Sequence, residues 1–370
     1  MTDVLISGAG IAGSTLAYWL ARDGLRPTVV ERSSGTRSSG NPVDVRGTAV
    51  PVAEAMGILP ALRQAATATT TINLLAASGR SAARMRTPAA RGRRDELEIP
   101  RADLASILYQ AARPHAEFVF DDTITALHPD DGGGVEVEFE RAAPRRFDLV
   151  IGADGLHSTV RRLAFGPERE YLHHLGLYVA TLPLGRPADH PHEVVLYNTP
   201  GRLASIHPAR GSAIAAFIFR APAIPDLDYR DSTRHRRIVL AAYAEAGWQV
   251  PQLLDALREA DDFYFDAVSA VRLPTWTRGR ITLLGDAASC VSLLGDGSTL
   301  AITGARTLAQ ALADHPAPTS APANALRAYE HQHRKLIAPK QRNIAIAAAW
   351  LVPKTRPGIT ARNLAAKPMP

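Results

Sequence analysis

Six residues, Gly8-Ala-Gly10-Ile-Ala-Gly13, constrain this chain more than any other stretch. An apolar run from Val4 to Ser7 leads into them, and apolar residues at helical spacing follow: Ile11, Leu16, Trp19 and Leu20. Pro27 to Val30 then reads as a second strand, so the chain opens on a βαβ unit. In such a unit the first glycine permits a tight turn, the second removes a side chain where a phosphate approaches, and the third lets helix and strand pack closely. Main-chain N–H groups and the helix dipole at that point favour a pyrophosphate. Glu31 ends the second strand, near the spacing of about 20 residues at which an acid meets a ribose diol. These residues predict a Rossmann-type α/β domain with a dinucleotide site at Gly8, Gly10, Ala12, Gly13 and Glu31.

A chain of 370 residues with 46% hydrophobic content can bury a large core and is long enough for two domains. The texture changes within it. From Tyr171 to Ala270 strand candidates separated by Pro and Gly dominate, with helical periodicity confined to Arg234–Ala246 and Pro251–Ala260. A strand at Ile281–Leu284 and a helix from about Ser298 then resume the first pattern. The predicted fold class is α/β (α+β overall): a discontinuous nucleotide domain of residues 1–70, 98–168 and 275–315, and an inserted antiparallel β-sheet substrate domain of 71–97 and 169–274. A C-terminal helix over 322–352 and a tail over 353–370 complete it. Residues Pro51 to Ala65 are predicted as one helix, Arg101 to Arg113 as another, and Val135 to Phe139 as a half-exposed strand. Tyr197, Phe217, Phe219 and Arg220 are pocket candidates, but aromatic strand residues read first as core.

Composition excludes several functions. The net charge is +6 and the pI about 9.7, yet the basic residues are scattered. The clusters Arg91-Gly-Arg93-Arg94 and Arg234-His-Arg236-Arg237 are not interleaved with base-stacking aromatics, so no nucleic acid is expected as partner. No apolar stretch approaches the roughly 20 residues of a membrane-spanning helix. The nearest, Ile344 to Val352, reads first as a helix packed on the domain junction or a partner subunit, and second as a segment on an anionic membrane surface. The lone Cys290 forms no intramolecular disulfide, and no leader pattern is visible, so the expected location is cytoplasmic. No metal site is expected.

Three further motifs go beyond a dinucleotide. Ile99-Pro-Arg101-Ala-Asp-Leu104, Asp148-Leu-Val-Ile-Gly-Ala-Asp154-Gly-Leu-His-Ser-Thr-Val-Arg161, and Gly285-Asp286-Ala-Ala288 after a strand stand in this order along the chain. Together with the N-terminal fingerprint they resemble the FAD-dependent monooxygenases of the para-hydroxybenzoate hydroxylase type. In size and texture the chain is similar to the compact members that include tetracycline-inactivating and polyketide-tailoring enzymes.

That resemblance implies FAD, held without a covalent bond, with NADPH or NADH as a transient reductant. It implies that Gly8, Gly10 and Gly13 bind the pyrophosphate, Glu31 and Arg32 the adenosine end, and Arg101 and Asp286 the pyrophosphate and ribitol side. Asp154 corresponds to a residue associated with both FAD and NAD(P)H, and Arg161 to a structural partner nearby. Asp44 and Arg46, within Gly40-Asn-Pro-Val-Asp-Val-Arg-Gly47, correspond to a segment bordering the flavin; an ordinary ion pair is the alternative for Arg46 and Arg161. Gly295 and Gly297 keep the Gly-x-Gly of a loop beside the flavin ring. Around them Ser289-Cys-Val-Ser-Leu-Leu-Gly295 departs from the family pattern, lacking a His after Gly-Asp-Ala-Ala and the Pro of P-x-x-G-x-G.

The reaction implied is reduction of FAD, formation of a flavin C4a-hydroperoxide with O2, and transfer of oxygen to a small aromatic or polyketide-like substrate. The cofactor carries this chemistry, so no catalytic side chain is assigned. The alternative is an FAD-binding module or a flavin oxidase without oxygen insertion. A flavin halogenase is disfavoured, because no lysine precedes Lys335 and no two tryptophans stand two apart. A monomer or a homodimer is expected.

Overall fold

The computed structural model describes residues 2–35, 42–87, 96–130, 132–209, 211–261, 263–290, 295–315 and 322–367. The basic cluster at 91–94, residues 40 and 41 of the flavin-bordering segment, most of the linker and Val291 to Leu294 of the altered loop lie outside them.

The opening run Val4, Leu5 and Ile6 is fully buried, as a central parallel strand with both faces covered must be. It forms β1 (Asp3–Ser7), flanked on one side by β2 (Arg26–Glu31) and then β7 (Glu117–Phe120), and on the other by β11 (Leu149–Gly152) and β18 (Ile281–Leu283). These pairings are parallel. Antiparallel β17 (Thr277–Arg278) closes the edge. Helix α1 (Ile11–Arg22) buries Leu16, Ala17 and Leu20 against this six-stranded sheet, and α4 (Arg101–Ala112) and α9 (Asp296–Asp314) pack beside it.

The second large sheet has seven strands. β12 (Leu172–Pro183), β13 (Glu193–Thr199), β14 (Arg202–His207), β15 (Ile214–Arg220) and β16 (Tyr264–Val271) are joined by the hairpin β4 (Thr71–Leu75) and β5 (Ser81–Arg86), in the order β16-β12-β15-β14-β13-β4-β5. The hairpin attaches through a parallel pairing of β4 with β13 in an otherwise antiparallel sheet. One face carries Tyr178, Tyr197, Phe217 and Phe219 and is covered by α6 (Ser232–Tyr243) and α7 (Val250–Glu259). The aromatic pocket candidates therefore sit in the core, and Arg220 donates to the carbonyls of Ala348 (2.7 Å) and Val352 (2.8 Å) instead. The opposite face, with Leu74, Leu177, Leu203 and Ile218, meets Ala348 and Val352 at the end of α10 (Ala323–Leu351).

Smaller elements bridge the layers. β3 (Val43–Val45) pairs with β6 (Leu97–Ile99), and β8 (Ile124–Pro129), β9 (Val135–Phe139) and β10 (Arg145–Phe147) form a three-stranded sheet. Helix α5 (Thr159–Ala164) follows the motif after β11, and α8 (Asp286–Ser289) is a single turn after β18.

Two expectations are corrected. The single helix over Pro51–Ala65 is two, α2 (Ala49–Ala55) and α3 (Leu59–Ala65), because Gly57 takes φ +73° and closes α2 with Gly57 N–H on the Glu54 carbonyl and Ile58 N–H on that of Ala53. The tail contains a helix, α11 (Arg356–Ala365), started by the Thr355 hydroxyl accepting from Gly358 N–H and by Pro357 in its first turn.

Candidate functional site

The fingerprint loop connects β1 to α1 in the form its glycines require. Gly8 has φ +102°, and a Cβ there would lie 2.6 Å from the Ala153 carbonyl oxygen. A Cβ on Gly13 would lie 1.9 Å from the Gly8 carbonyl oxygen, so this glycine sets the helix against the strand. Gly10 differs: a Cβ there meets nothing within 4 Å. The space over Gly10 is open, and α1 begins there with no side chain capping it, which leaves its first N–H groups for an anion. Ala12 is buried behind the loop. Glu31 stands at the loop's flank, its carboxylate accepting from Ala9 N–H (2.9 Å) and Ser33 N–H (3.0 Å). Arg32 is exposed beside it, with its guanidinium 5.8 Å from the Tyr229 ring centroid.

A second group converges at the start of α9. Gly295 has φ +74°, and a Cβ on it would come within 2.4 Å of Asp44 Oδ2. Arg46 lies 3.2 Å from Asp44 and 2.7 Å from Asp296, which also takes Lys340 at 3.0 Å. The Ser298 and Thr299 hydroxyls donate to the Asp44 carbonyl at 2.6 and 3.0 Å. Burial raises the Asp44 carboxyl; Arg46 opposes this, Glu98 and Asp296 add to it, and its pKa reaches about 6. Asp286 opens α8 nearby, and a Cβ on Gly297 would stand 3.9 Å from its Oδ1. Arg101 is exposed at the start of α4 and acts electrostatically on Tyr264, as do Asp286 and Cys290. The ion-pair reading of Arg46 describes its partners here.

The third group follows β11. Asp154 is half-buried, accepting from the Ser158 hydroxyl (2.5 Å) and Val160 N–H (3.1 Å), and burial raises its pKa. Arg161 is fully buried; it donates to the carbonyls of Ala287 (3.0 Å) and Leu156 (2.5 Å) and pairs with Glu168 (3.1 Å). His157 was not singled out from the sequence. It lies 3.0 Å from Glu168 and 3.1 Å from Asp266 on β16, and stacks on Tyr229 at 4.3 Å. Burial works against its charge, but the two carboxylates more than offset that and lift the imidazole to about 9. At neutral pH it is an imidazolium joining the two large sheets. The only local hint was its place in the Asp154-to-Arg161 motif.

A six-stranded parallel-rich sheet with this loop at the carboxyl end of its central strands defines a Rossmann-type dinucleotide-binding protein. The chain belongs to the FAD-binding-domain family of flavin-dependent monooxygenases, whose profile, described as an FAD binding domain, matches residues 1–341. It is 40% identical over 315 residues to the uncharacterized protein Rv1260 of Mycobacterium tuberculosis (strain ATCC 25618 / H37Rv), covering 84% of each chain. A Legionella longbeachae protein named Flavin-dependent monooxygenase is 33% identical over 310 residues, 83% of this chain and 79% of that one. The crystal structure of tetracycline destructase Tet(51) superposes with a TM-score of 0.86 at 30% identity, covering 99% of this chain and 95% of that one. FAD is thus the cofactor, and the enzyme is an FAD-dependent monooxygenase. The open space over Gly10, the uncapped helix start and the flanking Glu31 fit its adenosine diphosphate half.

Proposed function

We propose that this chain is a single-component, NAD(P)H-dependent flavin monooxygenase that hydroxylates a small aromatic or polyketide-like molecule. The observation that carries the reading is the convergence of the Asp286 turn, which packs on β16 of the second sheet, with Gly295–Gly297 and the Asp44–Arg46 pair. The names of its relatives and the likeness to Tet(51) support it.

In this reading the N–H groups after Gly10 hold the pyrophosphate, Glu31 accepts from the adenosine ribose, and Arg32 lies along the adenosine end. Arg101 neutralises phosphate charge, and Asp286 accepts from ribitol hydroxyls. The Gly295–Gly297 backbone faces the ring, with Asp44 behind it able to hold or release a proton near neutral pH. Asp154 and Arg161 brace the turn between β11 and α5. Bound FAD, once reduced by NADPH or NADH, supplies the chemistry that activates O2. The protein's part is to exclude water and to hold the substrate between the sheets.

The test is NADPH and NADH oxidation by the purified yellow protein against a panel of phenols and polyketides, with the product weighed after reaction under ¹⁸O2. Substrate-stimulated turnover with one labelled oxygen in the product is expected. Turnover that yields only hydrogen peroxide would replace the reading by an oxidase, and absence of any stimulation would favour a binding module.

A further inference from the structure

The last forty residues concentrate three properties. All four lysines of the chain lie there, Lys335, Lys340, Lys354 and Lys367, together with Arg334, Arg342, Arg356 and Arg362, and no Asp or Glu. The segment thus carries more positive charge than the +6 of the whole chain, leaving the remainder slightly acidic. Among the described residues, the exposed large hydrophobic side chains are Leu336 (36%), Ile346 (71%), Trp350 (38%) and Leu364 (60%), all on α10 and α11.

The helix geometry gathers them. At about 100° per residue Leu336, Trp350 and Ile346 fall within roughly 80° of arc on α10, while Ile344, Ile337 and Ala348 are buried roughly 80–120° round from Leu336 on the side away from Ile346, with the small buried Ala347 at the border. Arg362 of α11 lies 5.5 Å from the Trp350 ring and donates to its carbonyl at 3.3 Å, which ties α11 to that end of α10. Arg334 and Lys340 are engaged with Glu330 (2.7 Å) and Asp296 (3.0 Å), and Arg362 is buried. The other five cations, Lys335, Arg342, Lys354, Arg356 and Lys367, are exposed.

We propose that this face docks the protein on an anionic lipid bilayer surface, with Ile346, Trp350 and Leu364 entering the headgroup boundary and the five cations meeting lipid phosphates. The combination selects the occupant. A second copy meeting the face across a two-fold axis would set one acid-free basic segment against another, and nucleic acid offers no apolar surface for Ile346 and Leu364. A bilayer accepts aliphatic side chains, an interfacial tryptophan and long basic side chains together. None of the described helices is long and apolar enough to cross a membrane, so the segment lies along the surface. This inference does not depend on the substrate proposed above.

Co-sedimentation of the FAD-loaded protein with vesicles tests it, using phosphatidylcholine alone and phosphatidylcholine with phosphatidylglycerol in roughly a 2:1 ratio. At low salt, at least about tenfold stronger binding to the anionic vesicles is expected, falling as salt rises, with a blue shift in tryptophan emission that Trp350→Phe removes. The double variant Ile346→Asp with Leu364→Asp should lose about tenfold or more of that binding with its FAD content unchanged. The triple variant Lys335→Ser, Lys354→Ser, Lys367→Ser should lose the preference for anionic vesicles. No binding to anionic vesicles, equal binding to both kinds, or undiminished binding by the double variant would overturn the proposal. So would a dimer in gel filtration that the double variant converts to monomer, since a second copy would then cover the face.

Discussion

His157→Gln removes a charge held between two carboxylates from different parts of the chain, Glu168 after α5 and Asp266 on β16. The imidazole rises from 6.5 to about 9 in the folded protein, and at about 1.4 kcal/mol per pKa unit the linkage is worth roughly 3 kcal/mol. The Glu168 side chain is 34% exposed, so solvent screening reduces this to about 2 kcal/mol. Because the folded pKa lies above the unfolded one, the stabilisation is complete below about pH 6.5 and is lost as pH rises through about 9. Thermal unfolding of FAD-loaded wild type and variant near pH 6 and pH 10 is the assay. The variant should melt roughly 2–3 °C lower near pH 6, and the gap should close near pH 10. An equal gap at both pH values would refute the electrostatic account and assign the effect to lost stacking on Tyr229.

Three further outcomes are expected. Glu31→Ala should weaken FAD binding by about 1–3 kcal/mol, tenfold or more, while the NADPH KM at saturating FAD stays nearly constant; an NADPH effect alone would reassign the fingerprint loop. Gly10→Val should fold with a normal circular dichroism spectrum yet retain little FAD, whereas Gly13→Val should fail to fold, because only the latter places a Cβ against backbone; matched behaviour would contradict the open space over Gly10. Asp286→Ala should raise the FAD dissociation constant more than Asp44→Ala, since Asp44 already has Arg46 as partner whereas loss of Asp286, in the role proposed for it, would leave ribitol hydroxyls unpaired; equal constants would refute the ranking.

What the sequence disclosed was local chemistry. The βαβ unit was legible because burial of Val4 to Ile6, the glycine geometry and Glu31 are written within a short span. The break at Gly57 and the start of α11 at Thr355 and Pro357 were also written locally, as a C-cap glycine and an N-cap with proline, and could have been read. The strands β7 and β8 are short and half-exposed, with little periodicity to betray them. The joint at His157 was illegible for another reason. Its partners come from Glu168, Tyr229 and Asp266, and only the packing of one sheet against the other brings them to a single imidazole. Asp44 likewise owes its raised proton affinity first to burial and then to Glu98 and Asp296, against the opposing charge of Arg46, surroundings that only tertiary structure assembles.

The strand order of the nucleotide sheet also governs how the protein can be made. β1 is flanked by β2 on one side but by β11 and then β18 on the other, so a strand translated first waits for residues 149–152 and 281–283. At 5–20 residues per second that wait lasts roughly 15–60 s. During it Val4, Leu5 and Ile6 have an unpaired edge next to an incomplete core, the condition under which nascent chains stick to one another or to chaperones. The hairpin β4–β5 waits similarly for β13, more than a hundred residues downstream. A polypeptide released early from the ribosome would thus carry an intact fingerprint loop and still be unable to become a flavoprotein.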